Sequence, residues 1–160
     1  MATMRRALRN LQPRALSTGA PSRAAYAHFY RATTRWNDND MFGHMNNTIY
    51  YQFMDDAINA HLLANNIPYS FPRFVAESSC KYLRPLAYPT PVDVGLRVAK
   101  LGNSSATYDI GLFADGDDAL AARGHWVHVY VDEQTGRPAP IAAEVRQVLD
   151  TLTLPGAEDA

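Results

Sequence analysis

Between Thr48 and Ala64 the residues Tyr50, Phe53, Met54, Ala57, Ile58 and Leu62 recur at steps of three and four. That spacing predicts one long amphipathic helix. Asn46, Asn47 or Thr48 can cap its start, and Asn65-Asn66 followed by Pro68 marks its stop. A helix with a single apolar stripe must lay that stripe on another element. The rest of the chain supplies strands. Tyr26–Trp36 is rich in aromatics and Thr and reads as an opening strand. Beyond the helix, strands are predicted over Phe74–Leu83, Val92–Leu101, Thr107–Phe113 and Ala119–Asp132. Turn signals separate them: Arg84-Pro85 through Pro91, Gly102-Asn103-Ser104, and Asp115-Gly116-Asp117. Val92, Val94, Leu96 and Val98 alternate with Asp93, Gly95, Arg97 and Ala99, as in a strand buried on one face. In the last strand Trp126, His128 and Tyr130 share a face, and His125, Val127, Val129 and Val131 the other. A short amphipathic helix over Ala142–Leu152 closes the order. The class is α+β, with a five-stranded antiparallel sheet covered by the long helix. Such a sheet leaves open edges, so edge-to-edge pairing of two copies is expected.

Composition excludes several alternatives. The chain has 160 residues, 47% of them apolar and 19% charged, which suits one globular domain. No stretch approaches the about 18 apolar residues of a membrane span. The single Cys80 allows neither an internal disulfide nor a zinc cluster, and a net charge of −1 argues against a nucleic-acid-binding surface. The charge is unevenly spread. Residues 1–37 carry seven arginines and no acid, while residues 38–160 hold eight Lys and Arg against all sixteen acids. Residues 1–24, Arg-rich, acid-free and dotted with Ser, Thr and Ala, have the composition of a mitochondrial transit peptide or a disordered basic tail. The domain is expected over residues 25–155, in the mitochondrial matrix or, failing import, in the cytoplasm.

Chemistry concentrates in Trp36–Tyr51, WNDNDMFGHMNNTIYY, with two carboxylates, an imidazole, a glycine and four asparagines ahead of a helix start. Helix starts offer unpaired N–H groups and a partial positive charge, which suit a polarised carbonyl or oxyanion. Asp40, a few residues upstream on a Gly-containing turn, can reach the same point as base or nucleophile. The same composition also describes a plain turn and cap. A calcium loop starting at Asp38 fails, because Ile49 stands where its closing Glu is required. His125 and His128 face opposite sides of a strand and make a poor metal pair. No metal site is expected.

The segment Asp38-Asn39-Asp40-Met41-Phe42-Gly43-His44-Met45-Asn46-Asn47-Thr48-Ile49-Tyr50 resembles the D-x-D-x-x-G-H-V-N-N-x-x-Y signature of hotdog-fold acyl-CoA thioesterases of the 4-hydroxybenzoyl-CoA thioesterase-like family. Lys81-Tyr82-Leu83-Arg84-Pro85-Leu86, Leu101-Gly102-Asn103-Ser104-Ser105 and Val131-Asp132-Glu133-Gln134-Thr135-Gly136-Arg137-Pro138 look like later landmarks of that family. The likeness runs over about residues 28–152.

The resemblance implies a long central helix wrapped by the sheet, paired subunits in a homodimer or homotetramer, and an active site at their interface. It implies hydrolysis of an acyl-CoA or acyl-carrier-protein thioester with no cofactor, coenzyme A being part of the substrate. On this reading Asp40 is the catalytic carboxylate and His44 orients it or the attacking water. Gly43 shapes the approach loop and the N–H near Asn47 polarises the carbonyl. Asn46 and Tyr50 flank the site. Ser104 and Ser105 are candidates for the substrate channel, and Lys81, Arg84, Arg97 and Lys100 for the phosphates of coenzyme A. The pair Asp55-Asp56, where longer Glu side chains are usual, is the runner-up to Asp40. The alternatives are a non-hydrolytic acyl-binding subunit and a hotdog dehydratase or hydratase. The latter characteristically places four residues between Asp and His, whereas three separate Asp40 from His44.

Overall fold

The computed structural model describes residues 21–153. Helix α1 spans Asn47–Ala64 and buries Tyr50, Phe53, Met54, Ala57, Ile58, His61 and Leu62. The six apolar residues of the sequence stripe are all in that set. Asn46 is the cap: its Oδ1 accepts the Thr48 N–H at 3.0 Å. The helix ends where Asn66 turns left-handed at φ 61°, a conformation Asn tolerates.

Five strands form one antiparallel sheet: β1 His28–Ala32, β2 Arg73–Tyr82, β3 Val92–Leu101, β4 Ser105–Ala114 and β5 Ala122–Tyr130. Their spatial order is β1-β3-β4-β5-β2, so β1 and β2 are the edges. Helix α2, Ala143–Asp150, buries Val145 and Leu149. A single long helix lies across a five-stranded sheet, as the sequence predicts for this class, and the architecture is a hotdog fold.

The boundaries differ where long-range contacts replace strand pairing. The opening strand is shorter than Tyr26–Trp36. Thr34 turns in to donate to the Thr90 carbonyl, and Trp36–Asp38 forms a 3-10 turn closed by Asp38 on the Arg35 N–H at 2.6 Å. The last strand starts late because Asp117 Oδ1 captures the Ala119 N–H in a turn. The fourth starts early, with Ser105 already paired to Val129.

The two faces of the sheet differ in chemistry. Toward α1 lie Val92, Val94, Leu96, Ile110, Leu112, Ala122, Trp126, His128 and Tyr130, all buried. On the outer face Asp109, 6% exposed, accepts from Arg97 Nε at 2.9 Å and from Arg123 Nε and Nη2 at 2.9 and 2.8 Å. Tyr26 crosses that face above Gly95 and Gly111, where any Cβ would overlap its ring.

The expected leader, residues 1–24, lies outside the described residues up to residue 20. Its last part belongs to the fold. Arg23 Nη2 pairs with Asp93 at 2.9 Å, and its guanidinium lies 4.6 Å above the Phe29 ring.

Candidate active site

The signature segment is a tight loop leading into α1. Asp40 N–H donates to the His44 carbonyl at 2.7 Å, and Gly43 N–H to the Asp40 carbonyl at 3.1 Å. Gly43 sits at φ 80°, where an L side chain is strained. Asn39 and Met45 bridge the base of the loop. Asp40 Oδ1 accepts two backbone N–H groups, from Phe42 at 2.8 Å and from His44 at 3.2 Å. Both bonds fall on one oxygen, so Oδ2 keeps its lone pairs for chemistry.

Further contacts fix this loop against α1. Met45 N–H donates to the Leu86 carbonyl at 2.7 Å, and Leu86 N–H donates to the Tyr50 hydroxyl at 3.1 Å. The Tyr50 ring meets Tyr82 edge-on at 4.9 Å. Burial raises the Tyr50 phenol, and the nearby Asp40 charge adds to that rise. Burial and the neighbouring Cys80 push the Tyr82 phenol up to about 12, so both stay neutral near pH 7.

The outcome is a cleft of about 320 Å³ lined by Asp40, His44, Met45, Asn47, Tyr50, Tyr82, Leu83, Arg84 and Pro85. Asp40, His44, Asn47, Tyr50 and Arg84 come together there. The Thr48 N–H is taken by the Asn46 cap, and Asn47, the first residue of the helix, lines the cleft. Gly43 and Asn46 act through the backbone, one by turning it and the other by capping the helix. His44 is exposed, and it bonds Asp40 through its main chain rather than its imidazole.

Other expected residues lie elsewhere or have other partners. Arg84 Nη1 pairs with Asp117 at 2.9 Å and also binds the Ala119 carbonyl, so it braces the β4–β5 turn. Ser105 pairs with Val129, whereas Tyr82 at the cleft pairs with Ala122 and through it aligns with Leu112. From Ser105 to Leu112 the strand runs about 23 Å, which puts Ser104 and Ser105 at the far end of the sheet. Lys81 and Arg97 line a larger groove, about 460 Å³, on the outer face. That groove shares no lining residue with the Asp40 cleft, and its two arginines are already joined by Asp109, so size alone does not make it the active site. Asp38 is buried at 2% exposure with both oxygens on Arg35 and is structural. Asp55 lies beyond the cleft, and Asp56 is raised by burial and by its neighbour Asp55.

Sequence reasoning missed Tyr82 as a wall of the cleft. Its only signal was membership of the Lys81–Leu86 landmark, because the contact with Tyr50 is created by the sheet. Among the described residues no three His, Cys, Asp or Glu side chains are placed to share a metal ion, and no helix is long and apolar enough to cross a membrane.

Comparisons with known proteins agree with this geometry. The family model described as the thioesterase-like superfamily matches residues 34–149. The PA5185 protein of Pseudomonas aeruginosa is 42% identical, with a TM-score of 0.80 over 83% of this chain and 96% of its own. A Thermus thermophilus thioesterase crystallised with coenzyme A and zinc is 30% identical, with a TM-score of 0.70 over 80% of this chain and 95% of its own. A Synechocystis 1,4-dihydroxy-2-naphthoyl-CoA thioesterase shares the fold at 16% identity, with a TM-score of 0.72 over 76% of this chain and 94% of its own. With its signature loop, its central helix and four of its five strands within the matched span, this chain belongs to the thioesterase-like superfamily and is a hotdog-fold thioester hydrolase.

Proposed function

We propose that the protein hydrolyses acyl-CoA thioesters at the Asp40 cleft. The observation that carries this reading is a carboxylate with one oxygen fixed by two backbone N–H groups, in a cleft that the first residue of a helix, Asn47, also lines. Asp40 Oδ2 removes a proton from water as the water oxygen attacks the thioester carbon. In the nucleophilic alternative it attacks that carbon itself, the thiolate leaves, and water then hydrolyses the mixed anhydride, supplying the proton and restoring the carboxylate. The carbonyl oxygen gains negative charge against the Asn47 N–H and the positive helix end. The C–S bond breaks, and the departing thiolate of coenzyme A takes up the proton. The second product is the free acid. His44, its imidazole free of Asp40, contributes to the cleft wall and the approach of water. A dehydratase would need carboxylate and imidazole acting as a pair, and these two are not bonded.

The coenzyme A carrier is supported by the thioesterases similar to this chain, one of them crystallised with coenzyme A. A homodimer is supported by edge strand β2, whose Phe74, Val75 and Tyr82 are 61%, 45% and 42% exposed beside an unpaired backbone. The composition of residues 1–24 supports delivery to the mitochondrial matrix.

Asp40→Asn tests the reading. The amide keeps an oxygen for the Phe42 and His44 N–H groups, so the loop is retained while base and nucleophile are lost. Thiol release from acyl-CoAs is expected to fall on the order of a hundredfold or more in kcat/KM with the circular dichroism spectrum unchanged. Wild-type rates in Asp40→Asn would overturn the role of Asp40. A wild-type protein that releases thiol from no acyl-CoA would point to an acyl-binding subunit.

A further inference from the structure

The outer face of the sheet carries a groove of about 460 Å³ for which the thioester chemistry has no use, with Ser79, Lys81, Arg97, Asp109, Arg123 and His125 in its wall. Lysine and the two arginines set three positive charges there against one negative charge.

Strand register brings these charges together. Tyr82 turns to Tyr50 on α1, so Lys81 beside it faces the other side of the sheet. Lys81 on β2 is paired directly with Arg123 on β5, and Ser79 with His125. Asp109 on β4 stands opposite His125 on one side and Arg97 on the other. Side chains paired in this way lie about 5 Å apart at Cβ, and like charges placed directly opposite destabilise a sheet.

Asp109 does not relieve the Lys81–Arg123 pair. Its Oδ1 accepts Arg123 Nε, and its Oδ2 accepts Arg97 Nε and Arg123 Nη2. Both oxygens are filled by guanidinium groups, and among the described residues Lys81 has no ion-pair partner. Glu77, at the rim, lies 3.6 Å from His125 instead.

The bonds to Asp109 also hold the two guanidinium groups in place. They use Nε and Nη2 of each arginine, so Nη1 of each is left for another acceptor. The Arg97 guanidinium is further held 5.8 Å from the Tyr26 ring centre. Two fixed guanidinium groups, an ammonium without a counter-ion and the Ser79 hydroxyl match a phosphate, whose oxygens accept in several directions. The groove is larger than a bare phosphate ion and suits a small molecule that carries one. Pairing of β2 with a second copy would use its backbone and keep these side chains on the outer face.

We propose that the outer-face groove binds the phosphate group of a phosphorylated small molecule between Lys81 and Arg123. The site stands apart from hydrolysis at Asp40, with whose cleft it shares no lining residue.

The test titrates the full chain with inorganic phosphate, at an ionic strength fixed with chloride, and follows broadening of the phosphorus resonance. Lys81→Gln is expected to weaken the phosphate Kd about tenfold, and Lys81→Arg to keep it within about threefold. Arg137→Gln removes an exposed charge outside the groove and should leave the Kd unchanged. A second readout separates a strained cation from a solvated one. Without phosphate, Lys81→Gln should melt about 1–3 °C above wild type, because the like-charge pair is gone. With phosphate, wild type should recover that difference.

Absence of broadening by wild type would overturn the site, and so would equal Kd values in wild type and Lys81→Gln. Equal weakening in Lys81→Gln and Arg137→Gln would reduce the effect to overall surface charge and overturn it too. So would a phosphate-free Lys81→Gln protein that melts no higher than wild type, since no repulsion would then await an anion. Competition names the source of the phosphate once the site is established. Displacement of inorganic phosphate by coenzyme A but not by 3′-dephospho-coenzyme A would assign the 3′-phosphate of the carrier. Displacement by both would assign its diphosphate, and displacement by neither a free phosphorylated compound. Each of these outcomes supports the site.

Discussion

Two clefts lie between α1 and β2, one at Asp40 and one lined by Asp55, Asn59, Arg73 and His128, and they are built by different means. At the Asp40 end, contiguous residues form a turn, a cap and a helix start, and the carboxylate is partly exposed. At the His128 end, the groups come from α1, β2 and β5, and the imidazole is buried. The first arrangement uses backbone N–H groups that any folded loop of this shape supplies. The second joins side chains across the fold, Arg73 donating to Asn59 and Trp126 to His128. A local turn can present a carboxylate to solvent, whereas a cleft lined from three elements requires long-range packing.

The largest expected effect falls on the Asp40 end alone. Asp40→Asn should lose on the order of a hundredfold in thiol release while its urea midpoint stays close to that of wild type. A variant that lost both would mean that the carboxylate holds the fold as well as the chemistry.

A smaller effect concerns the packing of α1 on the sheet. Gly124 on β5 faces α1, and an added Cβ would overlap Met54 Sδ. The thioether can swing aside, so Gly124→Val should cost about 1–3 kcal/mol in urea unfolding. Met54→Ala in the same chain should return part of that loss. A Gly124→Val protein as stable as wild type would show that the floor is loosely packed.

Acid should strike the buried imidazoles. Burial and the nearby His28 hold His61 at about 4, while burial and Arg73 hold His128 at about 4, against an ordinary 6.5. The unfolded chain takes up these protons at about 6.5, but the folded one resists down to about 4. Their contribution to stability is thus present above pH 6.5 and is lost progressively as the pH falls towards 4. Urea midpoints should drop through that window, and His128→Phe should flatten the slope by about half. An unchanged slope would assign the proton uptake to other groups.

The smallest effect lies on the outer face of the sheet. A chain starting at residue 25 loses the Arg23 pair with Asp93 and its place over Phe29, and should be less stable by about 1 kcal/mol than one starting at residue 21. Equal melting temperatures would place the true domain start after Arg23.

Much of the fold was legible in sequence because its signals are periodic. The three-and-four spacing of Tyr50 through Leu62 located α1, and the alternation of Val92 through Val98 located β3, since burial on one face imposes those periods. Strand ends were less legible. Whether Thr34 continues β1 or turns to Thr90 depends on a partner more than fifty residues away. Arg84 illustrates the same limit at the cleft: its charge suggested phosphate binding, but its position beside Asp117 and Ala119 makes it a brace.

Sequence alone determined the elements whose causes are local: the Gly43 turn, the Asn46 cap, the amphipathic helix and the clustering of Asp40 with Asn47. Backbone hydrogen bonds and side-chain periodicity over a few residues are enough to specify them. Only the tertiary structure decided that Tyr82 walls the cleft, that Ser104 and Ser105 lie at the other end of the sheet, and that Trp126 fixes the proton of His128. These follow from strand register and from which face of the sheet α1 covers, and neither is encoded in any short stretch of the chain.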